Sequence, residues 1–416
     1  MFFALLILVF GSYSFAKPDQ YGLCDTATKR IEEDTRVFIL TASPGSKTWS
    51  SFGHNLIWIS NGKEKTDESF NFGTFDPQQQ NLLYKYLNGE LIYWLDVQPF
   101  MEDLARYKKT ENRTVVGQRL RLPPHMIEKL VTKLSYLRKD ENKEFVYHWS
   151  EQSCGTQIRD LLNEITDGQF KEQHQQPTTH TYRTEALRHL SDKFLLWMGW
   201  TYIANSHVDQ PLNQWDLMFS PVQLREAIAN TTIVWPDGIS RPLVAYDCNW
   251  YGEETWAPQN PPDHFWFLLL LGLTGGITLM VAAHFGATTR WFRYGLGSLL
   301  CISGLVLGTV GTFHALLYWS QLQGLHPNAN QLLVGPQQLA WTFAGISLIR
   351  TGSPWSRYLV TIGTALACIC LLLKLSNLTA QDNAPLIALF VPFYCGLTWS
   401  CWRVPQSQNK PSVGNQ

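Results

Sequence analysis

Phe265 to Phe285 reads FWFLLLLGLTGGITLMVAAHF, inside a stretch from His264 to Thr289 without Lys, Arg, Asp or Glu. At ~1.5 Å per helical residue this run crosses a hydrocarbon core of ~30 Å. A second charge-free run, Tyr294 to Ile349, is long enough for two helices and is broken by SQLQGLHPNANQ, a polar turn. Further apolar runs cover Tyr358 to Leu373 and Pro385 to Trp402, so residues 264–416 read as five transmembrane helices.

Charge divides the chain at the same point. From His264 onward there are seven basic residues and one acid, Asp382, leaving 26 basic and 33 acidic residues before it. With only 16% charged residues and 17 Trp, the composition is poor for a soluble globule of 416 residues. It also excludes a disordered chain and a basic nucleic-acid binder. Arg290 and Arg293, Arg350 and Arg357, and Arg403 and Lys410 fall in alternate connections and the tail, which predicts a cytoplasmic C-terminus and an exported N-terminal half. Met1 to Ala16 ends in Ser14-Phe15-Ala16, a small-x-small cleavage pattern, and reads as a signal peptide lacking the usual basic start.

Residues 17–263 are therefore expected to be an exported α+β domain. Arg36–Ala42, His54–Ser60, Phe70–Phe75, Glu90–Val97 and Arg113–Leu122 read as strands. Pro123-Pro124 opens a helix, and Cys154 to Ile165 places Ile158, Leu161, Leu162 and Ile165 on one helical stripe. Helices are also predicted at Tyr182–Phe194 and Pro221–Ala229, and Tyr246 to Pro262 as an interfacial linker.

Five of eight cysteines lie in membrane helices, where small polarizable filler is the usual role. In an oxidising compartment Cys24 and Cys248, at the two ends of the domain, are expected to pair and leave Cys154 free. Cys154 opens an amphipathic helix, where unpaired N–H groups and the helix dipole favour a thiolate and could hold an oxyanion. Gly155 is expected to leave room for a substrate. A buried structural cysteine is the competing reading. His54, opening a strand, and His148, six residues before the thiol, are rival bases. Neither H-x-x-x-H nor C-x-x-C occurs in this half, so no metal site is expected.

Thr41-Ala42-Ser43-Pro44-Gly45 with Phe52-Gly53-His54 resembles the opening of the Lnb family, bacterial lipoprotein N-acyltransferases with an exported catalytic domain. Phe70-Asn71-Phe72-Gly73-Thr74-Phe75-Asp76, Tyr84 to Gly89, Cys154-Gly155-Thr156-Gln157-Ile158-Arg159-Asp160 and Met218-Phe219-Ser220-Pro221 extend the resemblance in the same order. Ser153 stands where the family has Asn, and Trp58 where it often has Arg. The resemblance implies His54 and Cys154 as a catalytic pair. The order His, polar residue, Cys is also similar to permuted papain-like enzymes such as the lecithin–retinol acyltransferase group. By that analogy Asn71 orients His54 through Nδ1.

The function implied is acyl transfer from a membrane phospholipid to the N-terminal amine of a diacylated lipoprotein through a Cys154 thioester, with no cofactor. The protein would sit in a bacterial inner membrane with its catalytic domain in the periplasm. A phospholipase or envelope cysteine peptidase keeps the same chemistry with another acceptor, and a non-catalytic receptor or scaffold stays open. His326, Asn328 and Asn330, in the polar loop between the second and third membrane helices, are expected to contact the catalytic domain or a lipid headgroup; a plain connecting turn is the other reading.

Overall fold

The computed structural model describes residues 35–64, 66–253, 256–322 and 324–405. The expected signal peptide, Cys24 and Lys410 lie outside the described residues.

The N-terminal half is built on a seven-stranded antiparallel sheet in the order β11-β5-β1-β2-β3-β4-β6. Its strands are β1 (Thr35–Ala42), β2 (His54–Asn61), β3 (Thr66–Thr74), β4 (Ile92–Pro99), β5 (Val115–Leu120), β6 (Glu144–Val146) and β11 (Val244–Tyr251). Two small ribbons pair β7 (Pro177–Thr181) with β8 (Pro211–Asn213), and β9 (Thr232–Val234) with β10 (Ser240–Pro242). Successive side chains of a strand face opposite ways, so β1 feeds two cores. Val37 and Ile39, with Ile57, Ile59, Phe70 and Phe72, pack under the helices; Phe38 and Leu40, with Leu56 and Trp58, face Phe100, Tyr107 and Val115.

Six helices matter for the site: α1 (Leu82–Leu87), α2 (Pro124–Leu137), α3 (Cys154–Ile165), α4 (Tyr182–His189), α5 (Phe194–Ile203) and α6 (Pro221–Ala229). The α3 stripe of Ile158, Leu161, Leu162 and Ile165 is buried against β2 and β3, with Leu130 and Leu134 of α2 beside it. Two sequence expectations need correction. The helix expected over Tyr182–Phe194 stops at His189, and Phe194 opens a separate apolar helix, α5. Ser191 and Asp192 fall between them, residues whose short polar side chains compete for backbone hydrogen bonds. The first six residues of the segment read as a linker, Tyr246 to Tyr251, belong to strand β11, paired along β5, with Cys248 buried and disulfide-bonded.

Five segments long and apolar enough to cross a membrane follow: α7 (Phe265–Gly286), α8 (Arg290–Leu316) with the turn after it, the stretch Ala329–Thr351 that ends in α9 (Leu339–Thr351), α10 (Trp355–Leu375) and α11 (Ala384–Arg403). Small residues let their backbones approach, as membrane bundles without a hydrophobic driving force require. A Cβ on Gly272 would lie 2.4 Å from the Leu389 carbonyl oxygen, and one on Gly276 2.5 Å from that of Pro392, so α7 and α11 meet backbone to backbone.

Candidate active site

His54 and Asn71 come from adjacent strands, and Cys154 from the first turn of α3. Ile57 of β2 pairs with Phe70 of β3, which carries His54 over Gly73. Gly73 has to be glycine for this: a Cβ there would sit 2.2 Å from His54 Cε1. Gly53, at φ +82°, turns the chain into β2 in a left-handed conformation that few other residues adopt, and its own Cβ would meet the Ala42 carbonyl at 2.9 Å.

The hydrogen bonds determine which ring nitrogen faces the thiol. The Gly73 N–H donates to Asn71 Oδ1 at 2.8 Å, which identifies that atom as the oxygen. His54 Nε2 lies 2.7 Å from the same oxygen and must donate to it. Nδ1 is then left for Cys154, which hydrogen-bonds to the His54 ring. The sequence analogy placed Asn71 on Nδ1, and the ring runs the other way. The pairing is reversed because the Asn71 amide, fixed on β3 by the Gly73 N–H, lies against Nε2.

Burial raises the Cys154 thiol, but the His54 charge, the His54 hydrogen bond and the backbone N–H groups of Asn55 and Gly155 outweigh it and bring the pKa below the usual thiol value. For His54 the same balance runs upward. Burial lowers it and Arg113 adds to that, while the Cys154 charge and hydrogen bond and the Asn71 hydrogen bond raise it to a net upward shift. Both shifts favour a thiolate–imidazolium pair. Cys154 and His54 are half-buried, so the pair keeps an open side.

Two cations hold the loop that precedes His54. Arg113 donates through Nε to the Ser43 carbonyl at 2.6 Å, and Lys193 Nζ donates to the Gly45 carbonyl at 3.0 Å and Ser51 Oγ at 2.7 Å. The space beside Gly155 is not open to substrate as expected. A Cβ there would meet the Met218 and Phe219 carbonyl oxygens at 2.7 and 3.0 Å, so the glycine admits backbone, not ligand. The Met218-Phe219-Ser220-Pro221 motif therefore supports the site from behind, and Asn55 Nδ2 donates to the Pro221 carbonyl at 3.3 Å. Ser153 caps α3 in a reciprocal pair with Thr156, whose Oγ1 accepts from the Ser153 N–H at 2.7 Å. Trp58 lies in the second core, stacked on Phe38 and Phe100 at 4.4 and 4.1 Å. His148, the rival base, has its Nδ1 3.2 Å from Ser150 Oγ.

An aromatic wall adjoins the thiol. Phe75, Tyr93 and Tyr147 stack in series at 4.8 and 4.3 Å, and the Tyr93 and Tyr147 phenols lie close enough to Cys154 for a thiolate there to raise them beyond the effect of burial. The loop after α8 closes against this wall. Leu317, Leu322 and Leu325 cluster with Tyr86, Leu87 and Trp149, and Ser320 Oγ donates to the Leu87 carbonyl at 2.6 Å. Within that loop, Asn330 Nδ2 donates to the Thr201 and Tyr202 carbonyls at 3.0 and 2.9 Å, and Asn328 Nδ2 to that of Ile203 at 2.8 Å. Both amides are thus engaged by α5. His326, with Nε2 2.9 Å from the Ser320 carbonyl, lines an open depression of about 560 Å³ with Asn205, Ser206, His207, Gln210 and Pro327.

Sequence reasoning missed Asn55, Arg113, Lys193 and the tyrosines, because they act through backbone groups or come from distant segments with no motif of their own. Among the described residues no group of three or more His, Cys, Asp and Glu side chains is arranged to hold a metal ion.

Residues 25–187 match the family model described as the Lnb N-terminal periplasmic domain. Comparison with curated proteins and with solved structures finds no match. The matched stretch carries His54, Asn71 and Cys154, and the five long apolar helices follow it. Residues 25–187 are thus similar to the Lnb N-terminal periplasmic domain, and in this chain they are followed by five segments long and apolar enough to cross a membrane.

Proposed function

We propose that the protein is a thiol-dependent lipoprotein N-acyltransferase. The observation that supports this best is Cys154, hydrogen-bonded to His54 and to the Asn55 and Gly155 N–H groups, on a domain docked against membrane-spanning helices. In the first half-reaction the Cys154 thiolate attacks the ester carbonyl of a phospholipid. The carbonyl oxygen takes up negative charge, and the N–H groups of the α3 first turn are the nearest donors for it. On collapse the C–O ester bond breaks, His54 gives its proton to the departing alkoxide, and lysophospholipid leaves an acyl thioester on Cys154.

In the second half-reaction the α-amine of a diacylated lipoprotein attacks the thioester. Neutral His54 accepts the amine proton, the C–S bond breaks, and the product is an amide with the thiolate restored. Asn71 holds the imidazole with Nε2–H outward so that Nδ1 serves as the base. A site pressed against lipid keeps water scarce, which favours aminolysis over hydrolysis. His326, at the depression, is assigned to headgroup contact, while Asn328 and Asn330 hold the loop to α5. The basic residues of alternate connections support a cytoplasmic C-terminal tail.

Purified protein supplied with phospholipid and a diacylated lipopeptide tests this. The expected products are lysophospholipid and a triacylated, amide-linked peptide in equal amounts. Free fatty acid with no acylated peptide identifies a phospholipase, and cleaved peptide a peptidase. Activity intact in Cys154→Ala removes the thiol from the chemistry.

A further inference from the structure

Helix α5 is too apolar for the water-exposed face of an exported domain. Its sequence, FLLWMGWTYI, has no charged residue, and its one strongly polar side chain, Thr201, returns its hydroxyl to the Trp197 carbonyl at 2.8 Å. Leu195 is 83% exposed, and Phe194 and Leu196 flank it partly exposed. Contiguous exposed apolar surface of this kind marks contact with another apolar phase.

The surroundings of α5 identify that phase. Phe194 lies edge-on to Phe267 at 5.9 Å, and Trp197 is buried with Leu268, so α5 lies along the first turns of α7. There Trp266 and Phe267 are themselves 71% and 55% exposed on a helix long enough to span a bilayer. The exposed face of α5 thus continues the lipid-facing surface of α7. The far end of α5 is equally informative. The last carbonyls of a helix need donors, and at an aqueous end water supplies them. Here protein side chains supply them: Asn330 at Thr201 and Tyr202, Asn328 at Ile203, and Arg183 and Gln381 at Ala204, at 3.0 and 3.1 Å. Tyr202 further donates its hydroxyl to the Val334 carbonyl at 2.8 Å inside the spanning bundle. Beyond Trp200, whose carbonyl takes the Ala204 N–H, the carbonyls from Thr201 to Ala204 are thus met by protein side chains, an arrangement suited to a medium without water.

We infer that α5 is a half-membrane helix whose Phe194–Leu196 face lies among the acyl chains of the leaflet nearest the catalytic domain. At ~1.5 Å per residue its length is about half a ~30 Å hydrocarbon core, enough to enter one leaflet and no more. Its consequence for the site rests on the acyl-transfer reading. Trp200 of α5 contacts Trp149 at 6.2 Å, and Trp149 contacts Phe219 at 5.6 Å, whose backbone lies beneath Gly155. The depth of α5 in lipid thereby sets the height of Cys154 above it.

The test places the photo-crosslinking residue benzoylphenylalanine at Leu195 in the full chain, reconstituted in phosphatidylethanolamine–phosphatidylglycerol nanodiscs. A second variant carries it at Tyr136, which is 52% exposed on α2. After irradiation the expected result is a mass increase of one phospholipid on the peptide containing residue 195 and none on that containing 136. Either no lipid adduct at 195, a protein adduct there instead, or equal lipid labelling at 136 overturns the inference. The readout does not depend on turnover. Lipid labelling at 195 in a protein that never transfers acyl groups sinks the enzymatic reading and leaves this one standing.

Discussion

Cys154 and His54 shift each other's protonation, and this is measurable without substrate. The His54 charge and hydrogen bond help hold the thiol below its usual range against the opposing effect of burial. In the wild type, the rate of Cys154 alkylation plotted against pH should therefore have its midpoint below the ~8.5 of an ordinary thiol. In His54→Ala burial is less opposed, so the midpoint should move up; superimposed curves would mean the two side chains are not coupled. In turnover the acid limb reports protonation of the thiolate, and the alkaline limb loss of the proton that His54 holds above its ordinary value. Each of Cys154→Ala and His54→Ala should abolish transfer, with the double variant no worse than either, because the two act as a unit. Asn71→Ala leaves both present but frees the ring, and should lower kcat about 10- to 100-fold. A rate within twofold of wild type would deny Asn71 its orienting role.

At the scale of elements, what the sequence made legible depended on whether the signal was local. α3 runs from Cys154 to Ile165 as read, because its cap, its apolar period and its buried stripe all lie within the segment. β11 was obscured because Trp, Asn and Pro around it resemble a linker, although Tyr246, Cys248 and Trp250 alternate along it. α5 was merged with the helix before it, since an apolar run alone does not show where a helix breaks. The role of Gly155 was invisible because the carbonyls that crowd it come from a segment distant in sequence. Gly155→Ala should consequently push α3 from its support and cost about 1–3 kcal/mol, with activity lost in parallel. Wild-type melting and turnover in that variant would show the space to be free. Asn330→Ala withdraws the donor shared by two α5 carbonyls, and the unsatisfied groups should cost about 1–3 kcal/mol in total. The expected readout is a lower Tm in detergent micelles, and an unchanged Tm would mean the amide is dispensable.

At the scale of the whole molecule, the aromatic wall, α5 and the loop after α8 form one junction, and the five apolar segments that carry it were evident from hydropathy alone. Their direction rests on charge. Gln321, exposed in that loop, should on replacement by cysteine react with an impermeant maleimide from the outer side of intact spheroplasts. Labelling only after lysis would invert the topology and part the loop from the periplasm. The proposed reaction depends on a covalent intermediate. Purified enzyme given phospholipid without an amine acceptor should gain the mass of one acyl chain on the peptide containing Cys154, released by neutral hydroxylamine. Adding a diacylated lipopeptide should discharge it as an amide. An enzyme that turns over while Cys154 stays unmodified, with the half-reactions separated in this way, would contradict the thioester route.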